Sequence, residues 1–238
     1  AAEQPNLPPG LLELLQDCYE TDVSAEDWAA YLYSVLAHPA YCDRFADELS
    51  HSEIHVPVAR QYSVFKTAVA IGRQLIWLHT FGERMVPDGY RVGDLPHGMA
   101  KCLVAVSDSP TEFPESFAFD SDREVLSVGD GEFGPVSTTV WEFEVSGLRV
   151  VQSWLGYRMK NRTGRKSSPL DEIGPEIWTA AFTTELLRLL WVLELTLNEY
   201  PRMEELLDEL LSGPLFKASE QGRSRPLPRM IASKLPPC

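Results

Sequence analysis

Turn-forming residues crowd the middle of this 238-residue chain and leave no room there for a long regular element. Between Val86 and Phe133 the stretches PDG, GDLPHG, SDSP and GDGEFG interrupt apolar runs as short as Cys102–Val106 and Val125–Val128. Glycine accepts positive φ and proline fixes φ at about −65°, so such clusters mark turns, and the brief apolar runs between them suit short strands. On both sides the apolar spacing changes to that of helices. The chain is therefore expected to be α+β, with N-terminal helices and a C-terminal helical pair flanking a mainly antiparallel β-sheet. Three parts are expected within one compact unit: a helical part over residues 1–85, a β-rich part over 86–174, and a helical part with a basic tail over 175–238.

Local signals place the elements. Ser24 with Asp27 three residues on makes a capping box, and Trp28, Leu32, Val35 and Leu36 follow at helical spacing, so a helix to about His38 is expected. Pro39 suits the first turn of a second helix, with Tyr41, Cys42, Phe45 and Leu49 on one side. A longer helix is expected from Tyr62 to Phe81, turning Phe65, Ala68, Ile71 and Leu75 inward and stopping at Gly82. A hairpin is expected from Val140–Val145 and Leu148–Val151 around Ser146-Gly147. Near the end, Leu186, Leu190, Leu193 and Leu197 form a helical stripe, and Pro201 is expected to open a second helix that stops at Gly213.

Composition narrows the functional classes. With 44% hydrophobic residues the chain can bury a sizeable core. The net charge of −14 opposes nonspecific adhesion to polyanions, so a nucleic-acid partner would require a localised positive face. Cys18, Cys42, Cys102 and Cys238 are far apart with no CxxC pair, as expected for reduced thiols of a cytoplasmic protein. No apolar run reaches the ~18–20 residues that span a bilayer, so no membrane partner is expected. The chain opens AAEQPNLPPG without a Met, which suggests a piece of something longer.

Sites for chemistry are hard to find. GDGEFG at Gly129–Gly134 matches a dinucleotide-binding pattern by letter, but Pro135 and the β-prone VSTTVWEFEV follow where a helix would have to begin, so a hairpin loop is expected. His51 and His55 flank Glu53 but lack a third metal ligand. Asp120, Asp122 and Glu124 lack the remaining spacing of a calcium loop. No GxSxG elbow and no Cys beside a His is present. The expectation is a chain with no catalytic residues, no metal site and no cofactor of its own.

One stretch resists the acidic background. Arg158, Lys160, Arg162, Arg165 and Lys166 fall within nine residues, and from Val145 to Leu170 there are six basic residues and no acidic one. That window carries +6, whereas the remainder, with 15 basic against 35 acidic residues, carries −20. A strand ending at Tyr157 and continuing through Arg158, Lys160 and Arg162 would present alternate residues on one side. TGRKSS, residues 163–168, then adds a turn, two cations and hydroxyls, the inventory of a loop that meets phosphates and base edges. The competing reading is a charged loop that pairs with the protein's own Asp and Glu.

Four segments taken in order resemble a known family: YLYSVLAHPAYCDRFADEL (Tyr31 to Leu49), FKTAVAIGRQLIWLHTF (Phe65 to Phe81), WEFEVSGLRVVQSWLGYRMK (Trp141 to Lys160) and ELLRLLWVLELTLNEYP (Glu185 to Pro201). They are similar to the C-terminal region of type ISP restriction-modification enzymes, large single chains that join nuclease, translocase and adenine-N6 methyltransferase parts. The resemblance spans most of residues 24–212 and implies a noncatalytic target-recognition domain that reads double-stranded DNA. The Asn-Pro-Pro-Tyr signature of the methyltransferase is absent, so S-adenosylmethionine and the methyltransferase domain of the parent protein are implied to lie outside this chain. Arg158, Lys160, Asn161, Arg162, Arg165, Lys166, Ser167 and Ser168 are the DNA-contacting residues expected on this basis. Many members carry a Gly-Ile-x-Asn-Asp-Pro-Asn-like segment after the Tyr, where this chain has TGRKSSPLDEI, which exchanges acids for cations. The alternative from another class is a protein-interaction module without direct DNA contact.

Overall fold

The computed structural model describes residues 6–51, 54–160 and 177–217. Among these, eight α-helices and six strands occur: α1 (Leu11–Tyr19), α2 (Ala25–Leu36), α3 (Pro39–Arg44), α4 (Ala46–His51), α5 (Tyr62–His79), β1 (Lys101–Val104), β2 (Phe117–Asp120), β3 (Val125–Val128), β4 (Gly131–Gly134), α6 (Thr138–Trp141), β5 (Glu144–Val145), β6 (Leu148–Arg149), α7 (Val150–Gly156) and α8 (Ala180–Ser212). The class is α+β, as the distribution of turn residues and helical periods requires. Two compact units form, one from residues 1–94 with 198–237 and one from 95–197.

In the first unit α2 starts where Ser24 Oγ accepts the Asp27 N–H at 3.1 Å while Asp27 Oδ2 accepts the Ser24 N–H at 3.0 Å. The capping box expected from the sequence is thus complete, and it ties two helices together because Arg73 on α5 donates to Asp27 Oδ1 at 2.8 Å. Burial pushes the Asp27 carboxyl pKa up, but the Arg73 hydrogen bond and those from Ser24 outweigh it and hold the carboxyl below its ordinary value. The rings of Trp28, Tyr31 and Phe65 stack in sequence, and the Tyr31 hydroxyl donates to the Pro57 carbonyl at 2.6 Å. Helix α5 ends as its sequence indicates, with Phe81 and Gly82 both at positive φ and the Gly82 N–H bonded to the Trp77 carbonyl.

Two expectations in this unit are corrected. The helix that starts at Pro39 breaks at Phe45 into α3 and α4, and Cys42 is exposed while Tyr41 is buried, because only Tyr41, Phe45 and Leu49 recur at four-residue spacing toward the core. Pro201 does not separate two helices but lies inside α8. A proline there removes one hydrogen bond and costs about 3 kcal/mol. Met203, Leu206, Leu207 and Leu210 beyond it are all buried, each contributing about 1.5–3 kcal/mol, so continuing the helix wins.

The second unit contains an antiparallel sheet of order β1-β4-β3-β2. Its central hairpin pairs Val128 with Gly131 and Leu126 with Phe133, with Gly129 at φ 54 in the turn, so GDGEFG is the hairpin expected and not a phosphate loop. Asp120 closes the β2–β3 turn by accepting the N–H groups of Asp122 and Arg123 at 3.0 and 3.1 Å. The second hairpin is far shorter than expected. Ser146 and Gly147 take φ 50 and 80, the two positive values of a type I′ turn, but only Glu144–Val145 and Leu148–Arg149 pair. Val140 lies in α6, which Ser137 caps, and Val150 begins α7. Tertiary burial overrides the β-propensity of these valines: Val140, Val151 and Leu155 are buried in one cluster with Leu126, Val128 and Phe133 of the sheet and Leu186, Leu190 and Leu193 of α8.

The closest helix contact sets a measurable constraint. A Cβ on Gly72 would stand 1.8 Å from the Ala30 carbonyl oxygen, a backbone atom that cannot rotate away. Gly72→Ala is expected to force α2 and α5 apart and lower stability by about 2–4 kcal/mol, read as the urea midpoint of the chain. An unchanged midpoint would contradict the packing described.

Candidate nucleic-acid interface

The basic segment does not leave a strand; it leaves a helix. Val151, Leu155 and Met159 recur every four residues and are buried in the core of the second unit, which fixes the rotation of α7 and of the turn after it. Around it Arg149 of β6 and, beyond the helix end, Tyr157 and Lys160 are exposed, while Gln152 and Ser153 within α7 are partly so. Tyr157 stands 66% exposed. This spacing replaces the alternate presentation expected of an extended chain.

The structure places two of the eight candidate residues, and it treats them differently. Arg158, in the turn after α7, folds back over the helix end, its guanidinium carbon 3.8 Å from the centroid of the Trp154 ring and 5.6 Å from that of Phe182. It donates to the Trp154 carbonyl and to Glu185 Oε2, both at 3.2 Å, and its Nε is buried with no partner among the described residues. With the side chain only 27% exposed, Arg158 fastens α7 to α8. Lys160 instead reaches the rim. Its backbone N–H bonds the Pro114 carbonyl at 2.9 Å, and its Nζ lies 2.7 Å from Glu115 Oε1, with both side chains about half exposed. Such a solvated ion pair is worth at most about 1 kcal/mol, so a phosphate can displace the carboxylate. Asn161, Arg162, Arg165, Lys166, Ser167 and Ser168 lie outside the described residues.

Beside Lys160 runs a groove of about 340 Å³ lined by Thr111, Glu112, Phe113, Pro114, Glu115, Ser116, Gly129 and Asp130. Its three carboxylates, Glu112, Glu115 and Asp130, disfavour a phosphate inside the groove. Neither partner of the placed cations was visible in the sequence, since Glu115 and Glu185 are 45 and 27 residues away from them.

The other titratable groups with displaced pKa values are explained by packing. Burial raises Tyr19, Tyr31, Tyr33, Tyr41, Tyr200 and Cys102 and lowers His38 and His79. His79 accepts or donates a hydrogen bond with the Tyr33 hydroxyl at 2.7 Å, and His38 caps α3 by accepting the Ala40 N–H at 3.1 Å. His51 and His55 are exposed, and Glu53 lies outside the described residues. Among the described residues no group of three or more His, Cys, Asp or Glu could hold a metal ion, and no helix is long and apolar enough to cross a membrane.

This α+β chain thus presents Arg149, Tyr157 and Lys160 at its surface around α7 and holds Arg158 against Trp154. Its sequence matches the model of the Type ISP C-terminal specificity domain over residues 1–189, and the chain belongs to that family. Among solved structures it is similar to a chain of the DrdV–DNA complex determined by cryo-EM, at 18% identity, TM-score 0.54, and coverage of 85% of this chain and 19% of that one. It is also similar to the ATP-dependent Type ISP restriction-modification enzyme LlaBIII bound to DNA, at 15% identity, TM-score 0.50, and coverage of 86% of this chain and 12% of that one. At these identities the likeness is one of fold, and this chain spans less than a fifth of either relative's length. Comparison with curated proteins gives no match.

Arg158→Ala is expected to destabilise the chain by about 1–2 kcal/mol through loss of the Trp154 stack, and Glu185→Gln by less than about 1 kcal/mol. Chemical denaturation followed by tryptophan fluorescence measures both. Equal, negligible effects would show that Arg158 is an idle surface charge.

Proposed function

We propose that this chain reads double-stranded DNA as the target-recognition domain of a restriction-modification enzyme, and that the methyltransferase it serves, with its S-adenosylmethionine, is carried by the rest of the parent protein. The observation that carries the proposal is the run of six cations without an acid from Val145 to Leu170, in a chain that belongs to a specificity-domain family. The two structural relatives named above were both solved with DNA, which supports the same reading. A protein-interaction module without DNA contact is not favoured, because the chain belongs to a specificity-domain family.

On this reading Lys160, Arg162, Arg165 and Lys166 contact phosphates. Asn161, Ser167 and Ser168 hydrogen-bond phosphates or base edges. Arg158, already stacked on Trp154 and paired with Glu185, holds the segment's origin in place. Each phosphate neutralised releases condensed counterions, so binding weakens with salt in proportion to the number of contacts.

Titrating the chain with a mixed-sequence duplex at several salt concentrations tests this. Four phosphate contacts give a slope of log K against log [salt] of about −3.6, and Arg162→Ala with Lys166→Ala is expected to flatten it by about 1.8. Affinity and slope unchanged in the double variant would exclude the loop from the interface.

A further inference from the structure

At one end of the β1–β4 ladder lies a cavity of about 150 Å³ for which DNA recognition has no use. We infer that this cavity and the sheet edge beside it form a docking site for a protein segment that inserts one aliphatic side chain flanked by basic residues. The site is additional to DNA recognition and does not rest on it.

The cavity is built where the two strands end. Met99 and Ala100 precede β1, Pro135 and Val136 follow β4, and Val140 of α6 and Leu190 of α8 close the inner side. Ala100, Val136, Val140 and Leu190 are all buried, so the inner wall is apolar. Met99, at 63% exposure, and the exposed Glu124 open the space to the surface. Hydrogen bonds hold the walls in place. Trp191 Nε1 donates to the Ala100 carbonyl at 2.7 Å, Glu194 Oε2 accepts the Met99 N–H at 2.8 Å, and the Val136 N–H bonds the Glu124 carbonyl at 2.8 Å. Collapse is thereby opposed, and the space is preformed for an occupant.

Size and charge define that occupant. An apolar cavity of about 150 Å³ admits a benzene-sized group but falls well short of the ~300 Å³ at which small-molecule pockets begin, so one leucine- or isoleucine-sized side chain fits. The carboxylates of Glu124 and Glu194 also line the space. No side-chain hydrogen bond or ion pair engages Glu124 among the described residues, and Glu194 keeps acceptor capacity beyond the bond given to Met99. Lysine or arginine next to the inserted group pairs with both carboxylates and complements a chain of net charge −14. The same net charge opposes a second copy of this chain and disfavours nucleic acid at the rim. Beside the cavity β1 is an outer strand of the sheet, and its Leu103 and Val104 are exposed. An open strand edge accepts an extended segment through main-chain hydrogen bonds. The register shift between Cys102 and Val104 keeps that pairing short, so the inserted side chain supplies the selectivity.

The test is selection by the full chain from a displayed library of short random peptides, with binding then followed through the methyl resonance of Met99. Enriched peptides are expected to carry one leucine, isoleucine or valine next to lysine or arginine, and to shift the Met99 resonance saturably. Replacing that aliphatic residue of the peptide by serine should weaken binding about ten- to a hundredfold. Because this arm alters only the peptide, misfolding of the chain cannot account for the loss. Glu124→Gln with Glu194→Gln keeps an acceptor for the Met99 N–H and should weaken binding about three- to tenfold, with loss of the preference for basic residues. No enrichment, or enriched peptides that leave Met99 unmoved, overturns the docking site. A Met99 resonance that moves instead with the concentration of the chain alone overturns the assigned occupant in favour of a second copy.

Discussion

The outward face of α7 depends on what holds its inward face. Val151, Leu155 and Met159 share one buried cluster with Leu126, Val128 and Phe133 of the sheet and with Leu186, Leu190 and Leu193 of α8. Rotating α7 by a single residue, about 100°, would carry these apolar side chains into water at a cost of about 1.5–3 kcal/mol each. The helix consequently has one orientation available, which fixes where the chain enters it from Arg149 and leaves it toward Tyr157 and Lys160. Arg158 secures the same arrangement from the edge through its stack on Trp154 and its bond to Glu185, so one member of the basic run serves packing.

The acidity of the rest of the chain has a consequence for that surface. A uniformly basic domain would hold any polyanion, whereas this one carries −20 outside its positive window, a balance that opposes nonspecific adhesion. Glu115 extends the same logic to close range. It neutralises Lys160 while water screens the pair, at little energetic cost to a phosphate that replaces it. On the proposed reading, repulsion from the acidic surroundings would contribute to orienting a duplex along with attraction to the cations.

How much of this the sequence disclosed depended on range. Ser24 and Asp27, Gly82, and the Gly129 turn act within a few residues, and each produced the cap, stop or hairpin its chemistry requires. Ser146-Gly147 likewise formed its turn, yet the strands expected around it shortened to two residues each, because burial of Val140 and Val151 rewards helix where β-branched residues in isolation favour strand. Pro201 failed as a helix boundary for the same reason: Met203, Leu206, Leu207 and Leu210 keep the segment helical in spite of the missing hydrogen bond. At the interface the basic residues were legible as charge, but their division into a fastener, Arg158, and a rim contact, Lys160, was not. That division comes from Glu185, Trp154 and Glu115, and two of these lie far away along the chain.

The central claim is that duplex DNA lies across the end of α7 and the cations that follow it. Acetylation of individual lysines, quantified by mass spectrometry with and without a duplex, tests it most directly. The account predicts slowed acetylation of Lys160 and Lys166 when DNA is bound, and an unchanged rate at Lys66, which is exposed on α5 in the other unit. Binding of the duplex with no change at Lys160 and Lys166 would contradict it.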